Sequence, residues 1–168
     1  MKKLILIFII SLFFCNIHPS ERRITERELL EMREKTMIKK QENYIQILLA
    51  TFRYKESRGN YYKEGRSGDY GAYQILRSNW NKWTKRYLKM KDVPMTPFYQ
   101  DLLAHELMEY YISKGYSTKQ IASLWNCGSP NYIGKIGVNK YGVKYDVPRY
   151  VKDFMKIFDK LNTQTIKI

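Results

Sequence analysis

The sequence predicts a mainly α-helical domain in which a helical lobe stands beside a small hairpin or loop. Three observations predict it. Apolar residues recur at helical spacing in several separated stretches, turn formers crowd into residues 58–71, and no alternating apolar run supports a central sheet. At 168 residues with no internal repeat, the chain fits one domain with one sizeable core.

Residues 1–15, MKKLILIFIISLFFC, place Lys2 and Lys3 ahead of an apolar run from Leu4 to Cys15 that is too short to span a bilayer comfortably. Residues 1–20 therefore read as a signal peptide or N-terminal anchor, and export to the periplasm or cell envelope is expected. Neither Phe13 with Cys15 nor His18 with Ser20 supplies the small residues of a cleavage site, which leaves an uncleaved anchor open. Lipidation of Cys15 also stays open, although Leu12-Phe13-Phe14 puts no small residue before it.

Residues 21–43 form a charged helical extension. Thr25-Glu26-Arg27-Glu28 has capping-box spacing, and a helix over about 26–42 follows it. Residues 44–168 form the main domain. Its first helix, Tyr44 to Glu56, carries Ile45, Leu48, Leu49 and Phe52 at i, i+3, i+4 and i+7, so that stripe is core. Glu56, three turns after Ile45, closes the helix at the stripe's edge.

Gly59, Gly65, Gly68 and Gly71, with Asn60, Ser67 and Asp69, then require a loop or hairpin. Helices follow over 79–88, over 97–114 between Thr96-Pro97 and Gly115, and from Ser117 to Trp125 or Asn126. A Gly- and Asn-rich loop leads to a last helix opened by Pro148, with Val151, Phe154, Met155 and Phe158 on one face.

The formal charge is +14, or +12 without Lys2 and Lys3. For an exported chain the polyanions within reach are wall polymers and the membrane surface, so no nucleic acid is expected. Without the leader, Cys127 is the only cysteine and no internal disulfide can form. His18, His105 and one cysteine do not make a zinc site, so neither metal nor cofactor is expected. Cys127 as a nucleophile would need a base, and nothing in the sequence links His105 to it.

Cleaving a glycosidic bond needs a carboxyl group kept protonated near neutral pH, which apolar surroundings achieve. Glu56 has that address, at the end of an apolar helix facing a Gly-rich loop. Alone it is a common helix-end glutamate. Four segments in order give it context: Glu56-Ser57, Gly71-Ala72-Tyr73-Gln74-Ile75, Leu124-Trp125-Asn126-Cys127-Gly128 and Pro148-Arg149-Tyr150-Val151.

This series, over residues 44 to 160, resembles the catalytic domain of soluble lytic murein transglycosylases. There a Glu-Ser pair ends a helix, Gly-Leu-Met-Gln lines the cleft, Ala-Tyr-Asn-Ala-Gly follows, and Tyr-Val opens the last helix. The resemblance implies a lysozyme-like fold, in which Glu56 protonates the oxygen bridging N-acetylmuramic acid and N-acetylglucosamine, then acts as base toward the sugar's 6-hydroxyl. It implies Ser57, Gln74 and Asn126 as substrate-binding residues, Gly71 as keeping the backbone open for the glycan, and Tyr150 as the residue that orients the Glu56 carboxyl. Flat rings suit sugar faces: Tyr73 and Trp125, inside these segments, are subsite candidates, whereas Trp80 and Trp83, one turn apart, read as packed. Ala72, Tyr73, Trp125 and Cys127 depart from the family's pattern at the sugar subsites.

Ser67-Gly68-Asp69-Tyr70-Gly71-Ala72-Tyr73-Gln74-Ile75 also resembles the Thr-Asp-Tyr-Gly-x-x-Gln-Ile stretch of animal-type lysozymes. That likeness implies Asp69 as a second catalytic carboxylate, which would suit a hydrolytic muramidase. As a turn former before Gly71, Asp69 has a structural reading too. A third alternative is a wall-binding protein of the same fold without turnover. Expected partners are peptidoglycan glycan strands, with anionic wall polymers, the membrane surface and a secretion or pilus apparatus as further candidates. A monomer is expected.

Overall fold

The computed structural model describes residues 24–131, 133–138, 142 and 144–165. The leader with Cys15 and His18, and Tyr132, lie outside the described residues. Among the described residues no helix is long and apolar enough to cross a membrane. The chain divides into one unit ending at Lys39 and a second from Lys40 onward.

The described part of the first unit is helical and exposed. Thr25 and Glu28 complete a reciprocal cap: Thr25 N–H donates to Glu28 Oε2 at 2.9 Å, and Glu28 N–H donates to Thr25 Oγ1 at 3.2 Å. Leu30, Met32, Met37 and Ile38 remain more than half exposed.

The second unit is mainly helical and carries two small hairpins. Helix α1, Glu26–Ser57, begins in the first unit and ends in the second, one helix where the sequence predicts two, because no Gly or Pro interrupts those residues. Hairpin β1–β2 pairs Asp69–Tyr70 with Ile75–Leu76, with Asp69 opposite Leu76. Helix α2 spans Arg77–Trp83 and runs into a π-type turn over Thr84–Leu88, so the helix predicted over 79–88 is present, starting two residues earlier and ending in a π-helical turn. Helix α3 spans Pro97–Ser113, with proline in its first turn. Thr96 is extended but its side chain makes no cap.

Helix α4, Thr118–Cys127, starts from Ser117 in a full capping box with Gln120 and stops at Gly128 in the left-handed region. Where a loop is expected next, β3 (Ile136–Val138) pairs antiparallel with β4 (Lys144–Asp146). Helix α5 spans Val147–Thr165. Asp146 Oδ1 accepts the Arg149 N–H at 2.9 Å and so satisfies one of its open N-terminal donors.

The core gathers Ile45, Leu48, Leu49 and Phe52 of α1, Leu103 and Leu107 of α3, Ile121 of α4, and Val151 and Phe154 of α5, all buried. Phe52 lies between Trp125 and Phe154, with ring centroids 4.6 and 4.5 Å away. Burying one aromatic ring of this kind is worth about 3–5 kcal/mol against alanine. The stack fixes the last turn of α1 against α4 and α5, and that turn carries Glu56.

Candidate functional site

Beside this stack lies a cleft of about 640 Å³, within the usual range for ligand sites. α1 supplies Lys55 and Glu56, the first hairpin Asp69, Gln74 and Ile75, and α2 Asn79 and Trp83. α4 supplies Trp125 and Asn126, β4 Lys144 and Tyr145, and α5 Arg149, Tyr150 and Asp153. The indole rings of Trp83 and Trp125 have centroids 6.3 Å apart.

Glu56 is half-buried at the end of α1. Its Oε1 accepts a short hydrogen bond from the Tyr150 hydroxyl in the first turn of α5. Burial pushes its pKa above the usual carboxylate value. The Asp69 charge adds to that rise, while the Tyr150 bond and the Lys55 and Lys63 charges oppose it. Burial and the adjacent carboxylate hold the Tyr150 hydroxyl well above its usual range, so it stays a donor. Lys63 binds the helix end through the Glu56 carbonyl at 2.6 Å.

Lys55 points along the same wall. Its Nζ donates to Asp153 Oδ2 at 3.1 Å and lies 5.1 Å from the centroid of the Tyr150 ring. The ammonium in turn holds the Asp153 carboxyl below its ordinary value.

The other residues expected at the site divide into two groups. Asp69, Gln74, Trp125 and Asn126 line the cleft with Glu56 and Tyr150. Asp69 is also tied to its own turn: the Ser67 N–H donates to its Oδ1 at 3.2 Å. Gln74 has a left-handed backbone with φ 49°, and its amide donates to the Gly71 and Lys63 carbonyls, so it braces the hairpin.

Ser57, Gly71 and Tyr73 stand behind the lining. Ser57 is buried and donates to the Ala72 carbonyl at 2.8 Å, pinning the hairpin to α1. Tyr73 is fully buried, so its ring has no face open to a sugar. Its hydroxyl donates to Asp101 Oδ1 at 2.6 Å, and its carbonyl accepts the Trp125 indole N–H at 3.3 Å. Asp101 further accepts from Arg53 at 3.0 Å and from Tyr61 at 2.7 Å.

Gly71 has φ 85°, and a Cβ there would overlap the Gln100 side chain. The room that a missing Cβ leaves at Gly71 is taken by Gln100. This buried amide accepts the Ala72 N–H at 2.8 Å and donates to the Tyr61 and Met95 carbonyls at 3.0 and 2.8 Å.

Sequence reasoning missed Lys55, Asn79, Trp83, Tyr145, Arg149 and Asp153 as cleft residues. Trp80 and Trp83 share helical spacing and both read as packed. Trp80 is buried with its indole bonded to the Val93 carbonyl, whereas Trp83 reaches the cleft. Asp153 follows Tyr150 by three positions, the spacing that puts two residues on one helix face. That signal was available for it.

His105 Nε2 lies 3.1 Å from Glu42 Oε2, in a surface pair that joins α3 to α1. Its ring, Glu106 and Glu109 could converge on a cation, but they lie outside the cleft lining. No family model, curated protein or solved structure matches the chain.

Proposed function

We propose that the protein is a lytic transglycosylase of lysozyme-like type that cleaves the β-1,4 bond between N-acetylmuramic acid and N-acetylglucosamine in peptidoglycan. The observation that carries this reading is the Glu56 carboxyl: half-buried in a cleft with two indoles, raised in pKa by burial, and oriented by the Tyr150 hydroxyl. A carboxylic acid so placed holds its proton to higher pH than an ordinary carboxyl and can give it to a glycosidic oxygen.

As that bond breaks, positive charge grows on the muramic acid anomeric carbon and Glu56 becomes a carboxylate, which the Tyr150 hydroxyl stabilises. The muramoyl N-acetyl group assists from within the substrate. Glu56 then takes the proton of the 6-hydroxyl as that oxygen closes the 1,6-anhydro ring. The flat faces of Trp83 and Trp125 suit sugar rings, and Asn126 offers an exposed amide beside them.

A second reading draws on Asp69, which lines the same cleft and bears electrostatically on Glu56. In it the two carboxylates support hydrolysis to a reducing end. A third, a wall-binding protein without turnover, needs no raised carboxyl.

Digestion of purified peptidoglycan by the wild-type chain and by Glu56→Gln tests all three. Anhydro-muropeptides, one water lighter than reducing ends, are expected from the wild type, with a rate loss of about 10²–10⁴-fold in the variant. Reducing ends would favour the muramidase, and binding without cleavage the third reading. Activity retained by Glu56→Gln would remove the role of Glu56 altogether.

A further inference from the structure

Glu56 has a cationic neighbour on its own helix, and the structure shows that neighbour held elsewhere. Lys55 precedes Glu56 directly, and its long stem allows the ammonium to reach several parts of the wall. It lies instead over the face of the Tyr150 ring, with Nζ 3.1 Å from Asp153 Oδ2. Tyr150 and Asp153 are one turn apart on α5, so one helix face presents a hydroxyl to Glu56 and a carboxylate to Lys55.

Two other charged groups bear on Glu56 closely, while Lys144, Asp146 and Arg149 line the same cleft. Lys63 is bonded to the Glu56 main-chain carbonyl, and Asp69 to the Ser67 N–H. Lys55 is the cation directly beside Glu56 in the chain, and its ammonium is bonded to the Asp153 carboxylate.

We propose that Asp153 is a positioning residue for Glu56: by anchoring the Lys55 ammonium on α5 it keeps that charge from pairing with the Glu56 carboxylate, and so preserves the proton the reaction needs. The inference rests on the reading of Glu56 as the acid. Without the anchor, an ammonium released from Asp153 finds the Glu56 carboxylate as a nearby anion in a partly dry wall, where a charge pair is stronger than in water. Pairing would favour the ionised form, and the acid would be spent at a lower pH.

The test uses the full chain as wild type, Asp153→Asn, Lys55→Met and the double variant. Glutamate side chains carry carboxyl ¹³C, and the Glu56 resonance is assigned by its loss in Glu56→Gln. Two readouts are followed: the titration of that resonance, and kcat/KM on peptidoglycan against pH. Asp153→Asn is expected to move the Glu56 titration and the basic limb of kcat/KM to lower pH. Turnover at pH 7 would fall about 3–10-fold while the acidic plateau stays within about twofold. Lys55→Met should move both readouts to higher pH, and Asp153→Asn should add nothing in that background.

A shift that persists without Lys55, or a loss equal at every pH, overturns the proposal. The resonance titrates whether or not the protein cleaves glycan. Shifts as expected with no cleavage by any form would therefore overturn the glycosidase reading and leave the coupling standing.

Discussion

At the scale of the residue, the buried position of Glu56 sets its ionisation against stability. Its pKa is raised in the folded chain, mainly by burial. The folded state thus holds this proton more tightly than the unfolded chain does. The contribution to stability is complete below the ordinary carboxyl range and is lost as the pH rises through the raised value. Glu56→Gln, which cannot ionise, should melt higher than wild type at pH 7, and the gain should vanish toward pH 4. Thermal unfolding across that range checks the sign. A variant that melts lower at pH 7 would mean that the ionised carboxylate is the better-accommodated form.

Residue chemistry was only partly legible in the sequence. Glu56 at the edge of an apolar stripe can be read from helical periodicity. Its bond to Tyr150, ninety-four positions away, cannot, because nothing local couples the two. Only the resemblance linked them. Tyr73 shows the opposite limit: a motif position says that a residue belongs near a site but not which way its ring turns. Three polar partners meet at Asp101, far along the chain, and that meeting draws the Tyr73 hydroxyl inward.

At the scale of the element, the first hairpin is held by side chains more than by its own ladder, since each strand has two residues. Gln100 reaches from α3 to close it, and Gly71 makes the room. Gly71→Ala should cost about 2–4 kcal/mol, combining a strained left-handed backbone with overlap onto Gln100. Gln100→Ala should cost about 1–3 kcal/mol by leaving the Ala72 N–H unpaired. In the Gln100→Ala background the overlap is gone, so adding Gly71→Ala should cost only about 1 kcal/mol more. Urea unfolding of the four proteins measures the coupling, and simple additivity would show that the two residues do not share that space.

The helices were readable as existence and type, because their stripes are long and their caps local. The second hairpin was not. Ile136–Val138 and Lys144–Asp146 are short, with Gly137 inside the first strand and exposed Ile136 and Val138, so no alternating apolar face announces them. The join between the two predicted parts of α1 was hidden for another reason. Its residues around Gln41 carry charge without periodicity, and helix continuity there follows from the absence of a breaker.

At the scale of the whole molecule, thirty lysines and arginines face sixteen aspartates and glutamates. Such a field holds a protein on a polyanionic matrix without choosing a sequence or a bond, and mobile ions weaken it. Adsorption to wall preparations rich in anionic polymer should therefore fall steeply between about 0.05 and 0.5 M salt. Sedimentation of bound protein measures it, and salt-independent binding would place the affinity in the cleft instead. Charge was fully legible from composition. The clustering of side chains into a cleft was not, because it depends on how α1, α4 and α5 meet around Phe52.

The three tryptophans divide unequally. Trp80 is sealed in the core with its indole N–H bonded to a carbonyl, while Trp83 and Trp125 line the cleft. Two of the chain's three strong ultraviolet emitters therefore view the site and one does not. The protein carries an internal optical gauge of whatever enters beside Glu56, with a buried reference lamp that an occupant cannot touch.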